Sequence, residues 1–479
     1  MVWTGFLNET RLAARSIAAY ATDWVSPTLR LGVTGLSRSG KTVFITALVH
    51  GLLTAARWPV FEAQAQGRIA RVRLEPQPDD GVPRFPYEDH LASLTGPDRT
   101  WPDGTKRISE IRLAIDFASN SGLMRGTEKT LTLDIVDYPG EWLLDLPLLA
   151  QSYADWSRRS LEAAGLPPRQ ALSGAFLAAA GEIDPFGRAD EAAARRLAEL
   201  FTAYLKACRD ERVSLSTLPP GRFLLPGDME GSPALTFAPL DLKGREAPGD
   251  SLAALMERRF ESYKRLVVMP FYTDHFATLD RQIVLVDALA ALNAGPPALL
   301  DLELALADVL TAFRPGRNSI LSAMLARRID KVLFAATKAD HLHQTSHDRL
   351  EALLGRLTER AMGRAAFAGS EIDVVALASL RATRETTVTR GRETLACIVG
   401  TPLAGETTDG ETFDGRSEVA VFPGELPDDP ARLFAGPGAF DGKDYRFVRF
   451  RPPLVEPSRP LPHIRLDRAV EFLIGDRLT

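Results

Sequence analysis

Residues 31–53, LGVTGLSRSGKTVFITALVHGLL, restrict this chain more than any other stretch. Gly35, Leu36, Ser37, Arg38, Ser39, Gly40, Lys41 and Thr42 fit the phosphate-loop pattern GxxxxGK[ST]. An apolar β-type run, 31–34, precedes it and an apolar helical run, 43–53, follows, which is the context the pattern requires. Such a loop wraps backbone N–H groups around the α- and β-phosphates of a nucleotide, and the helix N-terminus adds partial positive charge. Gly35 and Gly40 allow the tight backbone. Lys41 reaches the β- and γ-phosphates, and the Thr42 hydroxyl ligates Mg²⁺.

At 479 residues the chain exceeds one ordinary core, so two or three lobes are expected. Hydrophobic content of 45% and charged content of 25% describe a globular protein. A net charge of −5 gives no electrostatic case for nucleic acid or an anionic membrane as the main partner. The two cysteines, Cys208 and Cys397, have no CxxC spacing, which suits a reducing cytosol. No stretch approaches the ~20 apolar residues of a membrane-spanning helix. Residues 6–24 read as an amphipathic helix, either packed on the body or making a peripheral membrane or partner contact.

The pattern along the chain predicts an α/β fold with a mainly parallel sheet covered on both faces. Residues 1–30 form an N-terminal amphipathic helix in this reading, and 31–140 with 281–389 form the core. Between them, 141–280 is a large helical insertion, and 390–479 is a small β-rich element with a closing helix. The polar, proline-studded segment 64–103 reads as a long loop or lid, and DYRFVRFRP as a short late strand.

Further positions carry chemistry. Asp137 ends an apolar strand and opens DYPG, a DxxG pattern. A nucleotide site needs a carboxylate there for Mg²⁺ and a glycine, Gly140, whose N–H approaches the γ-phosphate. Glu141 follows directly and is placed to orient attacking water, or else serves as a switch residue or helix-start acid. Thr337-Lys338-Ala339-Asp340 matches [NT]KxD, with threonine where asparagine is usual. The Asp340 carboxylate can accept both N1–H and the N2 amino group of guanine, a donor pair adenine lacks. Ser379 and Leu380 follow the last sheet strand, where a backbone N–H meets guanine O6. Thr105, flanked by Gly104 and Lys106, is the candidate Mg²⁺-sensing residue, with Thr95 and Thr100 as alternatives. His341, His343 and His347 either wall the base pocket or supply metal ligands.

The ordered set SRSGKT, DYPGEW, IVLVDALAALNAG, TKADH and ALASLRAT resembles the YcjX-like family of P-loop NTPases over nearly the whole chain. The resemblance implies a bacterial, stress-associated GTPase with a membrane-protein partner of the YcjF type. It implies that Ser39, Gly40, Lys41, Thr42 and Val43 hold the phosphates and that Gly104, Thr105 and Lys106 make the lid contact. Lys338, Asp340 and His341, with Ser379 and Leu380, would form the base pocket.

The combined expectation is a cytoplasmic P-loop GTPase, with a peripheral position at the inner membrane as the alternative. It binds GTP or GDP with Mg²⁺ and uses Ser37, Arg38, Lys41 and Glu141 around the phosphates. No arginine finger can be named from sequence beyond Arg38 in the loop itself, so slow turnover, raised by a partner or by dimerisation, is expected. An ATPase and a nucleotide-bound scaffold with little hydrolysis are the rival readings.

Overall fold

The computed structural model describes residues 27–479 apart from 36–37, 105–106, 121–124, 211–214, 216–218, 313–328, 367–369, 409 and 437. Residues 1–26 of the expected N-terminal helix and the candidates Ser37, Thr105 and Lys106 therefore lie outside the described residues, while Thr28, Leu29 and Arg30, counted into that helix, open the first strand instead.

Seven strands form one sheet in the order β2-β3-β4-β1-β5-β6-β7. They are β1 (Thr28–Gly35), β2 (Ile69–Glu75), β3 (Ser109–Ala118), β4 (Glu128–Asp137), β5 (Arg281–Val286), β6 (Lys331–Ala336) and β7 (Glu371–Ala376). Strands β4, β1, β5, β6 and β7 run parallel. Strand β3 opposes both β2 and β4. The β3–β4 connection is too short for the helical crossover that parallel neighbours need, so a hairpin forms.

The central strands are apolar almost throughout because both faces are covered, and alternate side chains serve opposite cores. Ile283 and Leu285 of β5 join one core with Phe44 and Leu48 of α1 (Lys41–Leu53) and with Val470 and Leu473 near the C-terminus. Val284 and Val286 join the other, which is continuous with the helical segment 140–280.

That segment begins with a 3-10 run, Gly140–Ala150, in which Pro147 sits. Helices α3 (Tyr153–Ala164), α4 (Pro167–Glu182), α5 (Glu191–Cys208) and α6 (Leu252–Tyr263) follow. Ser152, Asp190 and Ser251 cap three of them by accepting backbone N–H bonds. Trp156 stacks on Phe260 at 5.2 Å and meets Phe201 and Phe237 edge-on.

Two further expectations need correction. Residues 64–103 contain edge strand β2 and helix α2 (Tyr87–Thr95), not only loop. Arg71 and Arg73 alternate with Val72 and Leu74, as an edge strand with one polar face requires, but the run is short and leads into a proline-rich polar stretch. DYRFVRFRP forms no strand; Phe450 makes one isolated bridge to Pro402. The remaining late β structure is a hairpin, β8 (Arg384–Arg390) with β9 (Glu393–Gly400), joined by Val419–Val421, and the short antiparallel pair Thr407–Thr408 with Glu411–Thr412. The chain closes with helix Leu466–Ile474.

Candidate nucleotide-binding site

Four loops converge at the carboxyl end of the parallel strands, where an open α/β sheet binds its ligands. The first joins β1 to α1. Gly40 occupies the N-cap of α1 with φ 83° and ψ 22°, a left-handed conformation that glycine adopts without steric cost. Arg38 is also left-handed, with φ 62°, and its side chain is exposed. Ser39, Lys41 and Thr42 are buried, and Val43 is half-buried. The Ser39 hydroxyl oxygen has no hydrogen-bond partner among the described residues, leaving a buried donor beside the loop.

Lys41 donates from Nζ to Oδ1 of Asp137 at 2.6 Å, and the two residues are 8% and 1% exposed. Asp137 closes β4, which lies directly beside β1. This neighbourhood brings together two residues 96 positions apart. An ammonium and a carboxylate shielded from water attract strongly, and the pair keeps both charges compensated.

Gly140 is buried at the start of the 3-10 run. Glu141 is 7% exposed, and its Oε1 accepts a hydrogen bond from Arg209, the residue that ends α5. Gly221 packs so closely on this loop that an added Cβ would lie 2.0 Å from the Glu141 carbonyl oxygen. Arg222 stacks on the Trp142 ring at 3.3 Å. Asp145 accepts bonds from the Gly221 N–H at 2.7 Å and the Tyr263 hydroxyl at 2.6 Å.

The third loop follows β6. Lys338 is left-handed, with φ 60°, and its ammonium donates to Asp287, the residue after β5. Asp340 is 4% exposed. Its Oδ2 accepts from the Ala382 N–H at 2.8 Å, and its carbonyl accepts from the Thr383 hydroxyl. Thr337 turns its hydroxyl toward the Val286 carbonyl at 3.3 Å. His341 meets Phe450 edge-on at 5.5 Å, and burial lowers its pKa. His347 points Nε2 at the Leu342 carbonyl, 3.4 Å away. Among the described residues, no group of three His, Cys, Asp or Glu side chains is arranged to hold a metal ion.

The fourth loop follows β7. Ser379 is half-buried and Leu380 buried, and the Ala378 N–H donates to Ile464 at 3.1 Å. Gly104 is exposed beside the undescribed 105–106. Nearby Trp101 donates from Nε1 to the Phe450 carbonyl at 2.7 Å, tying the lid to the late β structure.

Sequence reading singled out neither Asp287 nor Arg209. Asp287 had a signal, since it directly follows a buried strand, much as Asp137 closes one. Arg209 had none: it lies outside every pattern, 68 residues from its partner.

A mainly parallel sheet whose central strand leads through GxxxxGK[ST] into a helix defines a P-loop NTPase. The chain belongs to the YcjX-like family, DUF463, whose model matches residues 29–478. It is 43% identical over 464 residues to a Ras-like GTPase YcjX of Escherichia coli (strain K12), covering 94% of this chain and 96% of that protein. It is 35% identical over 476 residues to a Ras-like GTPase YcjX of Shewanella oneidensis, covering 94% of each. No helix among the described residues is long and apolar enough to cross a membrane.

Proposed function

We propose that this protein binds GTP and GDP and hydrolyses GTP slowly, as a conformational switch. The observation that carries this reading is the buried Lys41–Asp137 pair, 2.6 Å long, at the start of α1. Both groups interact with a nucleoside triphosphate in such a site, and in its absence they neutralise each other. When phosphates enter, Lys41 turns from Asp137 to the β- and γ-oxygens, and the Ser39 hydroxyl gains a partner. The names of the two relatives support guanine as the base.

The hard oxygen donors of Thr42 and Asp137 suit Mg²⁺, and these two residues would hold it, with Thr105 as the switch contact. Bound there, the ion would neutralise charge on the phosphate oxygens. At the base end, Asp340 accepts the guanine N1–H and N2 amino donors. Its bond to Ala382 fixes the carboxylate's orientation. The Lys338 stem lies along the base plane, with its ammonium held by Asp287. Glu141 orients the attacking water once its carboxylate is released from Arg209.

Phosphate release from GTP and from ATP, measured in parallel for the wild type and Lys41→Ala, tests the reading. GTP turnover that exceeds ATP turnover and disappears in the variant is expected. Equal turnover of both nucleotides would reassign the protein as an ATPase. No turnover of either, with nucleotide still bound, would leave it a scaffold.

A further inference from the structure

The loop after β4 and the end of α5 meet at the Glu141–Arg209 ion pair. The side chains are 10% and 22% exposed, so water screens the pair only in part. Glu141 is the residue after Gly140, whose N–H is read above as approaching the γ-phosphate. A guanidinium bonded to this carboxylate therefore stands at the edge of that position. Arg209 is also close enough to Arg38 of the phosphate loop for the two like charges to repel, so its guanidinium lies near both loops that enclose a γ-phosphate. Partial desolvation and the charges of Arg449 and Arg209 lower the pKa of Arg38, while the nearby Asp210 carboxylate raises it. Positive charges gathered at one lip repel each other until an anion arrives, and a phosphate loop brings one.

We propose that Arg209 is an arginine finger supplied in cis by the helical segment. With GTP bound, its guanidinium leaves Glu141 and donates to a γ-phosphate oxygen and to the β–γ bridging oxygen. This deepens the guanine-nucleotide reading and rests on it. In the reaction a water oxygen bonds to the γ-phosphorus, and the bond from that phosphorus to the bridging oxygen breaks. GDP, inorganic phosphate and one released proton result. The guanidinium gives up no proton; it spreads the charge that collects on the leaving oxygen.

Arg38 is the weaker candidate, because an exposed side chain on a left-handed loop residue lacks a rigid base. Arg209 is anchored at the end of an 18-residue helix, next to buried Cys208. The exchange has a second consequence. When Arg209 moves to the phosphate, the Glu141 carboxylate becomes available to orient water, so one rearrangement completes both parts of the site.

The test uses the full chain and the variants Arg209→Ala and Arg209→Lys. The lysine variant keeps the charge and the fold but loses the planar fork. GDP affinity is measured by calorimetry, hydrolysis by single-turnover phosphate release, and transition-state binding by titrating aluminium fluoride into the GDP complex. Both variants are expected to bind GDP within about threefold of wild type, yet to hydrolyse GTP at least about 100-fold more slowly. Both should fail to form the aluminium fluoride complex, and guanidinium ion should restore part of the rate of Arg209→Ala.

If Arg209 only staples the helical segment to the loop, Arg209→Lys will keep its rate and its aluminium fluoride complex, which overturns the proposal. Wild-type protein that binds GDP but forms no aluminium fluoride complex, with a rate unchanged in Arg209→Ala, also overturns it. Wild-type protein that fails to bind GDP would remove the guanine reading itself, and the finger with it.

Discussion

Lys41 and Asp137 stand in a pocket that admits almost no water, and each is the other's charge partner. Breaking a buried pair by removing one member leaves an uncompensated charge, at a cost of about 3–5 kcal/mol. Lys41→Ala is therefore expected to abolish nucleotide binding and also to lower the thermal midpoint by several degrees. Adding Asp137→Asn should recover most of the midpoint but none of the binding, as thermal scans with parallel calorimetry would show. Asp145 makes a second residue-scale prediction. Burial lifts its carboxyl from 3.8 to about 7, against the bonds it accepts from Tyr263 and Gly221. The folded chain thus holds a proton that the unfolded chain has already released, so stability falls as pH rises from about 4 to about 7. The loss over that interval reaches about 4 kcal/mol. Asp145→Asn should flatten it, read from urea midpoints at several pH values. At this scale the sequence is legible where a residue belongs to a local pattern or ends an apolar strand, as Lys41, Asp137 and Asp340 do. It is silent where the partner comes from far along the chain: Tyr263 lies 118 residues from Asp145.

The 3-10 run Gly140–Ala150 is tied to the rest of the helical segment by side chains of three of its residues. Glu141 holds Arg209, Trp142 carries Arg222, and Asp145 ties down Gly221 and Tyr263. A change at Gly140 therefore reaches the helical segment through four contacts made by three residues, Glu141, Trp142 and Asp145. Hydrogen exchange should show altered protection in Gly140–Ala150 on exchanging GDP for a non-hydrolysable GTP analogue, with a matching change across 219–229. Arg222→Ala should reduce the second change while keeping the first; an unaffected second change would separate the two elements. Gly221→Ala should be more severe. Its Cβ would meet backbone, the Glu141 carbonyl at 2.0 Å, which cannot swing aside as a flexible side chain does. Elements with long apolar runs, such as β5 and α1, were legible in the sequence because burial on all sides imposes such a run. Strand β2 was not, because its alternation of Arg71 and Arg73 with Val72 and Leu74 covers few residues and runs into a polar, proline-studded stretch. The strand expected at DYRFVRFRP shows the converse: alternation existed, but ladder pairing did not follow.

For the molecule as a whole, the two faces of the sheet are closed by distant parts of the chain. The face carrying α1 is completed by Leu466, Val470, Leu473 and Ile474. Arg281, buried in β5, is paired with Asp330 and with Asp476 beyond that helix. Four such apolar side chains stabilise by about 2 kcal/mol each, which is comparable with the whole stability of a typical domain. Removing residues 460–479 is expected to abolish cooperative thermal unfolding, followed by circular dichroism; a trimmed protein with an unchanged transition would contradict this. The central claim is that four loops at one end of this sheet form a guanine-nucleotide site, and Asp340 is its most specific element. Titration of fluorescent GDP and ADP in Mg²⁺, with Asp340→Asn titrated against xanthosine diphosphate, tests it most directly. The account predicts preference for GDP in the wild type and a switch to the xanthine nucleotide in the variant. Equal binding of GDP and ADP, unaffected by the substitution, would contradict it.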